Sequence, residues 1–317
     1  MDGQELRKYF SFANVKQGVF SIAEELFDIK ILAIPKAATW HEDVTFYEVR
    51  SQNKVLGQFY LDLHPRKNKY KHAAQFTLRQ GIRGLQLPVP VLVCNFPKTT
   101  DSDPGLMEHS QVETFLHEFG HLLHSIFRGH HEWPTSIEWD FIEVPAILLE
   151  NWVWDAAALK LLAKHHESNQ PLPDRLIKKM NEAAKFKAAL NNLTQITFAK
   201  LSMMLYLDKT SSQDPLSTYK KLYQEIIPFS FLDGDYLPYN FGHLNGYSSD
   251  YYTYLWSEVI ATDMFSRFKR DGLFNKAVAK DYQEKVLTNT GIKKASELVF
   301  DFLGREYNAK AFAESLK

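Results

Sequence analysis

The sequence is short of several things, and each shortage excludes a class of protein. It has one cysteine, Cys94, in 317 residues, so no internal disulfide can form and a reducing compartment is favoured. No apolar run reaches transmembrane length: Leu87 to Cys94 is short and carries Pro88 and Pro90, so it reads as a strand. The opening residues, MDGQELRKYF, lack the apolar stretch of a signal peptide. Charge of one sign is not in excess either. Lys and Arg number 37 against 38 Asp and Glu, which leaves no electrostatic footprint for nucleic acid or an anionic membrane. With 14 Gly and 13 Pro the chain is neither collagenous nor of low complexity, and 45% hydrophobic residues exclude global disorder. The plain expectation is a cytoplasmic globular protein.

What is present is aromatic and histidine-rich. There are 23 Phe and 15 Tyr, and of 12 His five fall between His117 and His131, a clustering that suggests metal chemistry. Residues 4–28 have helical spacing. From about 30 to 96 the texture is that of strands, with candidates at Val44–Val49, Gly57–Leu63 and Val89–Phe96, giving a small sheet of three to five strands. After a loop at Thr99–Gly105 the chain reads as almost wholly helical, near 109–128, 142–164, 173–208, 215–227, 247–270, 275–285 and 292–302. The stretch 228–246, with Pro228, Gly234, Pro238, Gly242 and Gly246 among aromatics, reads as a long glycine-hinged loop. The fold class expected is α+β, mainly helical, with a small sheet before the histidine helix.

The strongest signal is the run from Val112 to Phe127, which contains His117-Glu118-Phe-Gly-His121. On a helix, residues four apart face nearly the same way, so both imidazoles can reach one ion. Val112, Leu116, Phe119, Leu123 and Phe127 form an apolar stripe, and Phe115 and Leu122 widen it, so the helix sits centrally and its histidines face a cleft. Glu118 flanks the ion and can contact water there; zinc lowers the pKa of such water towards ~7 and a neighbouring carboxylate can take its proton. A catalytic site needs a third protein ligand. Position 127 is Phe, which removes a third histidine at that spacing, and His124 reads as a solvent-side or supporting residue. Glu132, Glu138, Asp140, Glu143, Glu150 and Asp155 all stay open; Glu143 opens a helix with Pro145 in its first turn, which can aim a carboxylate rigidly.

A second unusual segment runs from Asn240 to Trp256. Tyr247, Tyr251 and Tyr254 share one helical face, beside His243. Such a stripe is ordinarily packing. The functional alternative is a set of phenols and one imidazole aimed at a developing oxyanion, where donors can be worth ~3 kcal/mol each.

With these residues in view the chain resembles the thimet oligopeptidase family of zinc metallopeptidases. The resemblance runs from about Glu5 to the C-terminus and rests on five blocks in order: WHEDV at Trp40–Val44, GQFYLDLHPR at Gly57–Arg66, HEFGHLLH at His117–His124, DFIEVPAILLENWVWD at Asp140–Asp155 and FGHLNGYSSDYYTYLWSEV at Phe241–Val259. It implies a zincin-type catalytic domain and one zinc bound by His117, His121 and Glu143, with Glu118 as general base. It implies Tyr247 and Tyr254 for the oxyanion, and His243 and Tyr251 for substrate. Short peptides are the implied substrates. The chain departs from the family pattern in having a single glycine, Gly246, before Tyr247 and a shorter stretch between His124 and Asp140. It also begins near where the family's helical N-terminal half ends. The whole chain is therefore expected to be one catalytic region, helices and sheet over 1–105 and the zinc-site portion over 106–317. A wider, wetter cleft is expected, with self-association or a complementary N-terminal half as partner. An edge strand near Val91–Phe96 is expected to hold a peptide by backbone pairing. The function expected is zinc-dependent hydrolysis of short peptides; the alternative is a catalytically weak or inactive zinc-containing peptide-binding fragment that needs the missing half. A structural zinc protein is disfavoured, because such sites close with four ligands and usually include Cys.

Overall fold

The computed structural model describes residues 3–207 and 214–316. The expected first helix is two: α1 (Gly3–Arg7) and α2 (Phe12–Phe27), separated at Phe10 and Ser11, which make isolated bridges to Lys164 and Leu106. α2 buries Val15, Val19, Ile22, Ala23 and Leu26, the apolar spacing of a helix lying on a core, and stops at Asp28 in the left-handed region (φ 50).

Five strands follow: β1 (Lys30–Ala33), β2 (Thr45–Ser51), β3 (Lys54–Asp62), β4 (Ala74–Arg79) and β5 (Val89–Val93), in the order β1-β2-β3-β5-β4. All pairs are antiparallel except β3 with β5. The strand expected at the sheet edge, near Val91–Phe96, is therefore interior, held by β3 on one side and β4 on the other. Its run of buried residues fits a strand covered on both faces. Pro90, which lacks a donor, is accommodated by a register shift in β4 between Thr77 and Arg79. β4 is one edge and β1 the other; four of the six residues of β4 are exposed, and of its alternating apolar set Phe76 and Leu78 face solvent.

Two of the sequence blocks meet in a clamp beside this sheet. Asp62 accepts from Arg66 at 2.5 and 2.7 Å and from the Trp40 indole at 2.9 Å, while Lys69 Nζ donates to the carbonyls of Asp62, His64 and Cys94. Burial alone would raise the Asp62 carboxyl, but these donors hold it far below the ordinary range. The clamp ties the ends of β3 and β5 together and fixes the departure of the loop to β4.

The helix α3 (His109–Arg128) lies across the sheet, with Phe119 against Phe20 and Phe59 at ring separations of 5.7 and 6.0 Å. The expected helix 142–164 is in fact three pieces, preceded by a short turn. A 3-10 turn at Trp139–Phe141 leads to α4 (Val144–Glu150), a second 3-10 turn at Asn151–Trp154, and α5 (Ala156–Leu162). The break falls at Asp155, whose side chain caps α5 through the Ala157 and Ala158 amides, a local bond that overrides apolar periodicity. Next come α6 (Asp174–Leu207) and α7 (Pro215–Ile226); Asp208, the expected end of the former, lies outside the described residues. The expected loop 228–246 contains two short turns of helix, α8 (Leu237–Asn240) and α9 (His243–Gly246). The helix expected from 247 begins only at α10 (Thr253–Asp271), because Ser248 adopts φ 50 and breaks the run. α11 (Lys276–Tyr282) passes into a π turn at Gln283–Leu287, and α12 (Ala295–Leu303) and α13 (Lys310–Ser315) close the chain. One apolar core runs from Leu6 to Phe302, and a smaller one joins Leu201 to Tyr219 and Leu222. The fold is α+β and mainly helical.

Candidate metal centre and its cleft

On α3, His117 and His121 lie one turn apart with ring centroids 4.9 Å from each other. The stripe opposite them is buried throughout: Val112, Phe115, Leu116, Phe119, Leu122, Leu123 and Phe127. His124 is not on the solvent side. It is buried, its Nε2 has no partner, and burial, reinforced by Arg128, pushes its pKa well down, so the ring stays neutral.

Glu143 supplies the third donor. It stands at the N-cap of α4, with Pro145 fixing the first turn. α4 can approach α3 this closely because residue 120 is glycine: a Cβ there would lie 2.7 Å from Ala146 Cα and 2.9 Å from the Pro145 carbonyl. The approach brings Glu143 Oε2 to 3.3 Å from His117 Nε2 and 3.2 Å from His121 Nε2. Donor atoms of these three residues all lie within 4.8 Å of one another.

The other carboxylates that spacing left open have different work. Glu150 hydrogen-bonds His117 Nδ1, which turns Nε2 towards Glu143 and fixes the ring, the usual support of a ligating imidazole. Glu138 accepts from the Ala295 amide, Asp155 caps α5, and Glu132 pairs with Arg83 at the surface. The Asp140 carbonyl accepts from Ser257. A second cluster, His165, His166 and Glu167, sits on a surface turn where His165 Nδ1 already accepts from the amides of Glu167 and Ser168.

The charges suit a cation. Burial would raise Glu143, but His121 and His117 outweigh it and hold the carboxyl well below its ordinary range. His117 is pushed down by burial yet raised well above an ordinary imidazole by Glu143 and Glu150. Glu118 is 7% exposed; burial raises its pKa, the two histidines oppose this, and its Oε2 has no partner. Two imidazole nitrogens, one carboxylate and an orphaned carboxylate oxygen beside them fit a zinc ion with an open position, and they fit no closed four-ligand site.

The cleft has two walls. One is β4 and the loop before it, where the Gln75 main chain lies against Glu118 and the Gln75 side chain accepts from Ser125 Oγ at 3.3 Å. The other is the tyrosine segment. Tyr247 donates to Glu143 Oε1, Tyr254 stacks on Tyr247 at 5.2 Å, and the His243 ring lies 5.6 and 5.5 Å from these two. Burial and then the Glu143 charge push both phenols up, so each keeps its proton. Burial pushes His243 down; it feels Glu143 and, from the facing wall, His72. Tyr251 packs 5.1 Å from His243, but its hydroxyl turns away to Gln195 on α6 at 3.0 Å, and burial raises it to about 12. Further bonds from α6 hold the segment: Ser202 Oγ to the Ser248 carbonyl and Tyr206 to the Leu244 carbonyl, each 2.5 Å. The sequence carries no signal for Gln75, Gln195 or Ser202, since each acts through a segment far away in the chain.

The family model of peptidase family M3 matches residues 1–317. The oligopeptidase A of Haemophilus influenzae is 32% identical over 319 residues, 96% of this chain and 47% of the relative. The thimet-like oligopeptidase of Dictyostelium discoideum is 33% identical over 335 residues, 100% of this chain and 49% of the relative. The chain thus spans about half the length of the curated relatives it matches. Among solved structures, PZ peptidase A with inhibitor 2 superposes with a TM-score of 0.59 at 15% identity, covering 81% of this chain and 42% of that one. The Pyrococcus furiosus carboxypeptidase gives 0.60 at 13%, covering 98% and 59%. At such identities these two speak for the fold alone. With a family model matching from end to end and relatives above 30% identity, the chain belongs to peptidase family M3, the thimet oligopeptidase family.

Proposed function

We propose that the chain hydrolyses peptide bonds in short peptides with zinc held by His117, His121 and Glu143. The observation that carries this reading is the convergence of those three donors beside the unpartnered Glu118 Oε2. A zinc ion there would supply Lewis-acid polarisation of the peptide carbonyl and acidify water. The remaining steps belong to the protein. Glu118, made more basic by burial and kept ionised by its histidine neighbours, takes a proton from the attacking water and delivers it to the leaving amine. Tyr254 and Tyr247, both protonated, donate to the developing oxyanion, Tyr247 by turning its one hydroxyl proton from Glu143, and His243 contacts the peptide backbone. The free edge of β4 pairs with the substrate in extended form, the role first expected of the interior strand. Tyr251 acts on substrate by holding the His243 and Tyr254 rings in place.

The catalytic region is the whole matched chain, with its sheet portion over 1–105 and its metal-site portion over 106–317. No helix among the described residues is long and apolar enough to cross a membrane, and the single cysteine is free and buried; both accord with a cytoplasmic setting. Glu118→Gln is the test. It removes the base while leaving shape and the three donors intact, so turnover of an internally quenched peptide should fall at least ~10³-fold with zinc content unchanged. Unchanged turnover in this variant would end the general-base assignment.

A further inference from the structure

A cleft opens between the far end of β4 and the last turn of α3, lined among others by Thr77, Arg79, Ser125, Arg128, Trp133 and Thr135. It contains two arginines and no acidic side chain. Elsewhere most arginines are matched, as Arg66 holds Asp62, Arg267 holds Asp281 and Arg305 holds Asp263, with Arg7 the exception, bonded to Gln4 and the Leu106 carbonyl. The two in the cleft are not. Arg128 donates to the Thr135 carbonyl and, at 2.9 Å, to Thr135 Oγ1; Arg79 donates to the Leu87 carbonyl at 3.0 Å. Among the described residues neither makes an ion pair with a carboxylate. Arg128 is also half-buried, and burial lowers its pKa, the mark of a guanidinium that has lost water without gaining a counter-charge.

The cleft lies along the face of α3 that carries the metal donors, since Ser125 and Arg128 follow His121 at helical spacing. Ser125 lies one turn beyond His121 and bonds to Gln75, the residue beside Glu118. Gln75 reaches α3 through Ser125, and Thr77 and Arg79 open into the cleft at α3's end. From His121 the helix rises about 6 Å to Ser125 and about 11 Å to Arg128. An extended peptide covers that in roughly two to three residues. Antiparallel pairing, the more stable kind, sends the N-terminal part of a peptide on the β4 edge towards Arg79. The walls are fixed. A Cβ at Gly81 would lie 2.0 Å from the Gly129 carbonyl, so the β4–β5 loop packs backbone to backbone on the end of α3, and His131 bonds the Thr288 carbonyl at 2.5 Å.

We infer that this cleft receives an acidic side chain of the peptide, roughly two to four residues on the N-terminal side of the bond that is cut. The inference rests on the peptidase reading for the position of the cut, but not for the existence of the subsite.

The test uses the full chain and a set of internally quenched peptides in which one Glu is moved through an otherwise neutral sequence, with Gln at the same place as control and the C-terminus amidated or free. Glu at the upstream positions should raise kcat/KM about tenfold over Gln, and added salt should shrink the gain. Arg79→Gln, at an exposed side chain, should remove the preference, bringing kcat/KM for each Glu peptide to within about twofold of its Gln control in the same variant. Arg128→Gln should do the same if it folds. Cleavage with no Glu preference, or with a preference only downstream or for the free carboxylate, overturns the inference and leaves the peptidase reading intact. The same Glu and Gln peptides are then titrated calorimetrically into the Glu118→Gln protein. Tighter binding of the Glu peptide, lost in the Arg79→Gln background, upholds the subsite even if no peptide is ever cut; equal affinities, or no binding, overturn it.

Discussion

The α3–α4 pair and the segment carrying His243 and the tyrosines form opposite sides of one site, yet they are held by different means. Glu143 is 2% exposed and stands among Val144, Leu148, Phe119 and the rest of the main core. The approach to His243 exposes Phe229, Leu232, Tyr236 and Tyr239, each by 60% or more, and rests on the small core around Leu201 and Tyr219. The metal donors are positioned by close packing, which tolerates almost no displacement. The tyrosine side is positioned by a few hydrogen bonds from α6, which yield at a lower cost. One wall is therefore suited to holding an ion in fixed geometry, the other to adjusting around a substrate.

Breaking the rigid side should have the larger effect. Gly120→Ala drives a methyl into the α4 backbone, and the ordinary gain in helix propensity does not offset it. We expect a net loss of about 2 kcal/mol. Thermal melting together with zinc titration should show a lower Tm and weaker metal binding, because Glu143 is pushed off its partners. Full metal affinity in this variant would separate Glu143 from the packing argument.

Tyr254→Phe removes one donor and little volume. Turnover should fall about 10²-fold while Tm and zinc content hold, read by kcat beside a melting curve. Ser202→Ala cuts the tie between α6 and Ser248. It should cost about 1 kcal/mol and reduce kcat/KM a few-fold with zinc affinity unchanged, since the metal donors do not depend on that tie. If zinc binding weakened as well, the two sides would be coupled more closely than their packing implies.

The smallest effect concerns Glu258, on α10, which burial and then the nearby Glu150 push up to about 7. A carboxyl raised above its unfolded value favours the native state most below about pH 4.5, and this contribution is lost as pH rises through about 7. Glu258→Gln should therefore raise Tm at pH 8 more than at pH 5, by a few degrees at most, in melts across that range. An equal shift at both pH values would show that the residue titrates like an exposed one.

The residues divide according to how far apart their partners lie in the chain. The pairing of His117 with His121, the burial of the opposite stripe and the place of Glu118 are consequences of one helix, whose period is set by its own backbone, so the sequence alone determined them. The five ordered blocks likewise determined the family and the fold class. What spacing could not decide was which of six carboxylates completes the donor set. That depended on α4 crossing α3 at Gly120, which put Glu143 beside Nε2 of both histidines and Glu150 beside Nδ1 of one. The exposed edge strand was hidden for a similar reason. Ala74–Arg79 alternates apolar and polar residues, but its place at the edge is set by its pairing with β5, a contact between separate segments. Tyr251 shares a sequence pattern with Tyr247 and Tyr254, but Ser248 interrupts the helix and Gln195 takes its hydroxyl, so only the tertiary structure separated packing from reach.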